Sequence, residues 1–101
     1  MKKNPSQAAV RARVFYTGRV QGVGFRYTAE RLALGLGLSG LVKNLSDGRV
    51  ELVCEGPQDT IETLLAQVKQ DPALGRHIRG VACAWEKPTG EFTDFRVEFD
   101  Y

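Results

Sequence analysis

A glycine-rich stretch near the start of the chain has the residue types of an anion-binding loop. It runs Gly18-Arg19-Val20-Gln21-Gly22-Val23-Gly24-Phe25-Arg26. The residues before it alternate as in a β-strand, and those after it repeat as in an α-helix. A glycine-rich turn at a helix start presents several backbone N–H groups in one direction, beside the positive end of the helix dipole. Arg26 adds a guanidinium whose donor fork matches phosphate or carboxylate.

Two widespread phosphate-binding motifs do not match this stretch. A P-loop would close on Gly-Lys-Ser/Thr, which is absent here, and the glycine spacing differs from that of the dinucleotide fingerprint. Glycines between a strand and a helix also commonly form only a tight turn, and an arginine in a first helical turn is commonly solvated. From residue types alone, an anion site and a plain turn both stay open.

Two motifs together give the stretch a more specific interpretation. It resembles the acylphosphatase signature, in which a Val-Gln-Gly-Val-x-Phe-Arg run follows the first strand. A second motif of that family, Gly-Trp-Val-x-Asn, is matched by Gly40-Leu41-Val42-Lys43-Asn44, with Leu41 in place of the usual tryptophan. The separation of the two motifs also suits the family, and the resemblance covers nearly the whole chain after the first nine residues.

The resemblance implies hydrolysis of an acyl phosphate to a carboxylate and inorganic phosphate. It implies Arg26 and Asn44 as the catalytic residues, with Asn44 positioning the attacking water. The residues expected to bind the substrate phosphate are Arg19, Val20, Gln21, Gly22, Val23, Gly24 and Arg26. We expect no metal or other cofactor, a monomer, and inhibition by inorganic phosphate. Without the motif, Asn44 would be interpreted as an ordinary turn residue at the end of a strand.

Length and composition exclude several other classes of protein. A chain of 101 residues corresponds to one domain, and a net charge of +2 does not indicate a nucleic-acid-coating protein. No apolar run approaches the length that spans a membrane. Residues 1–9 begin with basic residues but have no apolar core, so we expect a disordered lead-in rather than a signal peptide. The predicted domain covers residues 10–101, and the expected compartment is the cytoplasm.

The cysteines and the single histidine are expected to have no chemical role. Cys54 and Cys83 lie in strand-like segments without Cys-x-x-Cys spacing, so we expect buried, reduced thiols. Together with His77 they supply too few ligands for a metal site. His77 falls in a predicted loop over residues 73–77, where it should be solvated.

Hydrophobic periodicity predicts five strands and two helices. The predicted strands cover residues 10–16, 41–45, 49–55, 78–86 and a short terminal segment, 95–99. The first helix covers residues 25–36, and the second starts with Pro57 in its first turn and ends at Asp71-Pro72. This order predicts an α+β fold: a ferredoxin-like βαββαβ split sandwich with two helices on one face of an antiparallel sheet, plus a short extra C-terminal strand.

Three other functions are compatible with this fold. RNA-recognition domains share the strand order but stack bases on aromatic residues, whereas the predicted third strand has none and carries two glutamates. Acylphosphatase-like domains also head hydrogenase-maturation carbamoyltransferases, but those chains are far longer, and no zinc-type cysteine motif follows here. An inactive binding domain would not need both Arg26 and Asn44. Turnover of a simple acyl phosphate separates these alternatives.

Overall fold

The structure, a computed structural model, describes residues 8–98 of the chain. Its elements are β1 (Ala9–Gly18), α1 (Phe25–Gly35), β2 (Ser39–Asn44), β3 (Val50–Pro57), α2 (Gln58–Gln70), β4 (Ile78–Glu86) and β5 (Phe95–Glu98). A 3-10 helix over Gly75–His77 stands where a loop was predicted, and Pro57 ends β3 instead of starting α2. Residues 1–7 of the predicted lead-in over residues 1–9, and residues 99–101 with the end of the last predicted strand, lie outside the described residues. Ala9, which the prediction placed in the lead-in, begins β1.

All five strands form one sheet in the order β4-β1-β3-β2-β5. Strands β1 to β4 pair antiparallel, which confirms the predicted α+β architecture. The extra strand β5 runs parallel to β2, with Phe95 opposite Gly40, so the complete sheet is mixed. The cause is the connection from β4, because residues 87–94 carry the chain from one edge of the sheet to the other before β5 begins.

Both helices pack on the same face of the sheet. Alternation along β1 places Ala12, Val14 and Tyr16 on that face, and each is 2% exposed or less. The helices bury Phe25, Ala29 and Ala33 from α1, and Ile61, Leu64 and Val68 from α2. Burial of this apolar face is the main force that holds the helices on the sheet. It fixes the start of α1, and therefore the backbone of Arg26, relative to the strands.

Strand β4 is largely exposed. It lies at the edge of the sheet, and Val81 and Trp85 are 51% and 43% exposed. Cys83, between them on the same face, is also exposed, whereas Cys54 in the central strand β3 is buried. The prediction of buried thiols was therefore right for Cys54 and wrong for Cys83. The physical reason is that α2 packs over β1 and β3 and leaves the edge strand largely uncovered.

The opposite face of the sheet carries a network of ion pairs. Arg11 donates to Glu55 and to Glu91, at 2.9 Å in both cases. Glu55 also accepts hydrogen bonds from the backbone N–H groups of Thr89 at 2.8 Å and Gly90 at 3.0 Å. Because Thr89, Gly90 and Glu91 belong to the connection between β4 and β5, the network fastens this connection to β1 and β3. It thereby directs the chain across the sheet toward β2.

We expect Glu55 to make stability depend on pH in the acid range. Burial by itself would raise the pKa of Glu55. The hydrogen bonds from Thr89, Arg11 and Gly90 together lower the pKa by more than burial raises it, so the pKa lies below its usual value of 4.5. A carboxyl with a lowered folded-state pKa contributes stability that is complete above the unfolded-state pKa and is lost as the pH falls through the folded-state value. The free energy of unfolding should therefore decrease as the pH falls below 4.5.

The measurement is urea unfolding of wild type and Glu55→Gln across this pH range, with Glu62→Gln as the control at an exposed position of α2. Glu55→Gln should be less stable at neutral pH, by about 3 kcal/mol, because it removes one partner of a buried ion pair. It should also lose less stability on acidification than wild type. Equal losses on acidification in wild type and Glu55→Gln would contradict the assignment.

Candidate active site

The glycine-rich stretch forms the connection between β1 and α1, residues 19–24. Gly22 and Gly24 have φ values of 79° and 80°, in the left-handed region that side chains with a Cβ atom rarely adopt. Gly24 caps α1, and its carbonyl accepts a hydrogen bond from the N–H of Thr28 at 3.0 Å. Glycine is needed at these two positions because the chain has to turn sharply into the helix start.

Gln21 fastens this loop to the turn between β2 and β3. Its side-chain amide donates to the carbonyl oxygens of Leu45 at 2.8 Å and Arg49 at 2.9 Å. Leu45 directly follows Asn44, the last residue of β2. The two sequence motifs are therefore joined by hydrogen bonds in space, although 24 residues separate Gln21 from Leu45. Sequence reasoning placed Gln21 among the phosphate-binding residues and missed this contact of its side chain.

Arg19 differs from the other loop residues that the sequence analysis selected. Its backbone N–H donates to the carbonyl oxygen of His77 at 3.1 Å, and its side chain is exposed. A hydrogen-bonded N–H is not available to an anion, so the set of candidate loop donors starts at Val20. The same hydrogen bond gives His77 a structural role, because its backbone carbonyl oxygen fixes the beginning of the loop.

A pocket of about 220 Å³ opens between the loop, the start of α1 and the end of β2. The residues that line it are Val20, Gly22, Gly24, Phe25, Arg26, Tyr27 and Asn44. The fold thus brings together Arg26, Asn44 and three of the selected loop residues. Gln21 and Val23 lie in the loop between the lining residues and are half-buried, whereas Arg19 is exposed and does not line the pocket. None of the described residues that line this pocket is acidic.

The donors at this pocket are backbone amides and one guanidinium. Within residues 8–98, the N–H groups of Val20 to Gly24 form no hydrogen bond with another residue. Arg26 is half-buried in the first turn of α1 and donates to the carbonyl oxygen of Glu98 in β5 at 3.3 Å. Because a guanidinium stays charged at any physiological pH, the pocket combines a permanent positive charge with the positive end of a helix. Such a combination attracts an anion with several oxygens.

Asn44 reaches the pocket from the helix-covered face of the sheet. It follows fully buried Val42 by two residues in β2, so both side chains lie on the same face, and it pairs with Val50, which is buried too. Leu41, which replaces the tryptophan of the family motif, points to the other face, since residues an odd number apart on a strand face opposite ways. The replacement therefore alters the face of the sheet away from the pocket.

Two structural features are absent from the described part of the chain, a metal-binding cluster and a membrane-spanning helix. Among residues 8–98, no cluster of three or more histidine, cysteine, aspartate or glutamate side chains is arranged to hold a metal ion. No helix in the same part of the chain has the length and apolar character that crossing a membrane requires.

The fold is that of a small α+β protein, with one pocket lined by the glycine-rich loop, Arg26 and Asn44, and comparison with known proteins gives the family. The acylphosphatase family model matches residues 12–97. An acylphosphatase of Methylococcus capsulatus is 48% identical over 87 residues, which are 86% of this chain and 94% of that protein.

Two solved structures agree with this match. The acylphosphatase of Bacillus subtilis superposes with a TM-score of 0.80 at 32% identity, over 88% of this chain and 98% of that one. The acylphosphatase of Coxiella burnetii superposes with a TM-score of 0.79 at 34% identity, over 97% of this chain and 100% of that one. The chain belongs to the acylphosphatase family. It is an enzyme that hydrolyses acyl phosphates, as the resemblance of the motifs implied.

We expect Gly24→Ala to destabilise the loop through its backbone alone. A Cβ atom at Gly24 would meet no atom within 4 Å, but the φ of +80° is strained for alanine. The expected cost is roughly 1–2 kcal/mol of unfolding free energy. Gly35→Ala, in the same helix and equally open to a Cβ atom, has no positive φ and serves as the matched control. Urea unfolding that gave equal changes for both variants would show that the conformation of Gly24 is not the constraint.

Proposed function

We propose that the phosphoryl group of the acyl phosphate is bound by the amides of Val20 to Gly24 and by Arg26, and that Asn44 positions the attacking water. One observation carries the proposal: a single pocket is lined by Arg26, Asn44 and the loop. Arg19 is left out of the donor set because its amide already donates to His77. Family membership supports the choice of substrate class.

The chemistry of an acyl phosphate suits a site built from fixed dipoles. The water oxygen attacks phosphorus, the bond from phosphorus to the acyl oxygen breaks, and the carboxylate leaves with the bonding electrons. A carboxylate is a weak base that departs without a proton, so a general acid is hardly needed. What remains is to hold the phosphoryl oxygens and align the water. Amides of the loop and the guanidinium of Arg26 would do the first by electrostatic preorganisation.

The proposed role of Asn44 is positional. A side-chain amide can accept a hydrogen bond from a water and donate one to it, but it does not titrate and cannot act as a general base. The proton of the water therefore passes to an oxygen of the phosphoryl group. In residues 8–98, the amide side chain of Asn44 forms no hydrogen bond, which is compatible with a water as its partner.

Four further proposals concern the cofactors, the oligomeric state, the compartment and the inhibition of the enzyme. The loop amides and Arg26 supply the positive potential that a metal ion would otherwise provide, so we propose catalysis without metal or other cofactor. All the pocket residues belong to one chain, and the proposal is for a monomer. The proposed compartment is the cytoplasm, where a thiol as exposed as that of Cys83 stays reduced. Inorganic phosphate keeps the oxygens that the loop would bind, so it should compete with substrate.

Replacing Arg26 by lysine tests the guanidinium. Arg26→Lys keeps the charge but not the planar donor fork, and we expect turnover to fall by about 100-fold. The measurement is hydrolysis of acetyl phosphate in excess chelator, which also tests the proposal that no metal is needed. The control is Arg31→Lys, at an exposed position of the same helix. Wild-type rates in a folded Arg26→Lys protein, or wild-type activity that chelator abolishes, would contradict the proposal.

Comparing two alanine variants tests the division of roles between Arg26 and Asn44. Asn44→Ala should lower turnover by at least about 100-fold, because it removes the partner of the water, and should leave phosphate affinity nearly unchanged. Arg26→Ala should lower both, because its contacts form with bound phosphate as well as in the transition state. Calorimetric titration with inorganic phosphate is run beside the turnover assay. Equal loss of phosphate binding in the two variants would make Asn44 a phosphate ligand or a structural residue instead.

A further inference from the structure

Tyr27 lines the pocket that holds Arg26 and Asn44, and its side chain is the exposed one of that lining. It is 58% exposed, whereas Arg26 and Asn44 are half-buried. Val20 and Phe25, which also line the pocket, are buried. The other described lining residues are glycines, which have no side chain. A substrate that extends out of this pocket therefore meets the ring of Tyr27 as the apolar side chain at its rim.

Helix geometry directs this ring toward the loop. The helix α1 buries Phe25, Ala29 and Ala33 against the sheet. Tyr27 follows Phe25 by two residues, which is about 200° around the helix axis, so its side chain points away from the sheet. Side chains of a helix lean toward the helix N-terminus. From the first turn of α1, the ring of Tyr27 therefore leans toward Gly24, the residue that caps the helix and also lines the pocket.

The proposed direction of attack places the acyl group on the side of phosphorus away from Asn44. The attacking and leaving oxygens are roughly in line through phosphorus. Asn44 stands at the end of β2, whereas Tyr27 stands in α1, on a different wall of the pocket. The pocket holds about 220 Å³, less than the roughly 300 Å³ at which sites for small-molecule ligands begin. With the phosphoryl group inside, a bulky acyl group extends to the rim.

We propose that the ring of Tyr27 contacts the acyl group of the substrate and favours acyl phosphates with an aromatic body. This inference rests on the proposed function, because it takes the phosphoryl group to be held by the loop amides and Arg26. Two aromatic rings in offset or edge-to-face contact gain stability beyond the area that they bury. The acyl group of acetyl phosphate has a single methyl beside its carbonyl, which is too small to cover the ring. Tyr27 thus acts on the choice of substrate and not on the chemical step.

Kinetics with benzoyl phosphate and acetyl phosphate test this contact. Tyr27→Ala should lower the kcat/KM for benzoyl phosphate about fivefold more than the kcat/KM for acetyl phosphate, as expected for one aromatic contact. The loss should lie in the KM, because the ring contacts the acyl group equally in the bound substrate and in the transition state. Comparing the ratio between variants cancels the difference between the two leaving groups. Alanine is a strong helix former, so the variant keeps α1.

Two matched variants and one inhibitor serve as controls. Tyr27→Phe keeps the ring and should retain the preference of wild type for benzoyl phosphate. Leu34→Ala removes another large side chain of α1, 52% exposed and outside the pocket lining, and should leave the ratio unchanged. Inorganic phosphate has no acyl body, so its inhibition constant should be the same in wild type and in Tyr27→Ala.

Three results would overturn this inference. They are an unchanged ratio in Tyr27→Ala, a change in Leu34→Ala as large as that in Tyr27→Ala, or loss of the preference in Tyr27→Phe, which would assign it to the hydroxyl. Each of them leaves the dependence of turnover on Arg26 and Asn44 standing. Failure of the proposed function would instead appear as wild-type rates with both substrates in Arg26→Lys, so the two failures are distinguishable.

Discussion

The two hydrogen bonds from the side chain of Gln21 are the contact on which the geometry of the site depends. They join the β1–α1 loop to the carbonyl oxygens of Leu45 and Arg49, on either side of the turn between β2 and β3. Arg26 follows the loop and Asn44 precedes the turn, so one amide fixes both relative to each other. Each of these carbonyl oxygens also accepts a backbone N–H within the turn, from Gly48 to Leu45 at 3.1 Å and from Leu45 to Arg49 at 2.8 Å. The turn is therefore closed by its own hydrogen bonds, and Gln21 attaches the loop to this preformed turn.

The ion pairs on the opposite face of the sheet contribute to the same site by a longer route. Arg11 and Glu55 hold the connection that starts after β4, and this connection crosses the sheet to the edge beside β2. There β5 runs parallel to β2, and the carbonyl oxygen of Glu98 accepts a hydrogen bond from Arg26. The path of the C-terminal segment and the position of the guanidinium are thus linked through residues far apart in the chain.

The pocket that holds Arg26 and Asn44 has no histidine, cysteine or carboxylate among its described lining residues, and the proposed mechanism requires none. A carboxylate leaving group needs no proton, so the protein has to supply position and fixed charge rather than acid–base chemistry. In the proposed mechanism, backbone amides held by glycine conformations and one guanidinium on a packed helix meet that need.

The sequence by itself determined the elements and the two motifs, because both are encoded locally. Apolar alternation predicted the strands, and the apolar stripe that starts at Phe25 predicted α1. The glycine loop with Arg26 predicted an anion site, and the role of each residue in that site stays a prediction. Only the tertiary structure decided that Asn44 shares a pocket with Arg26, and that the amide of Arg19 is occupied. It also decided that Cys83 is exposed. These features depend on strand order, on which strand forms an edge, and on where a long connection ends. All three arise from contacts between distant residues, which periodicity along the chain does not encode.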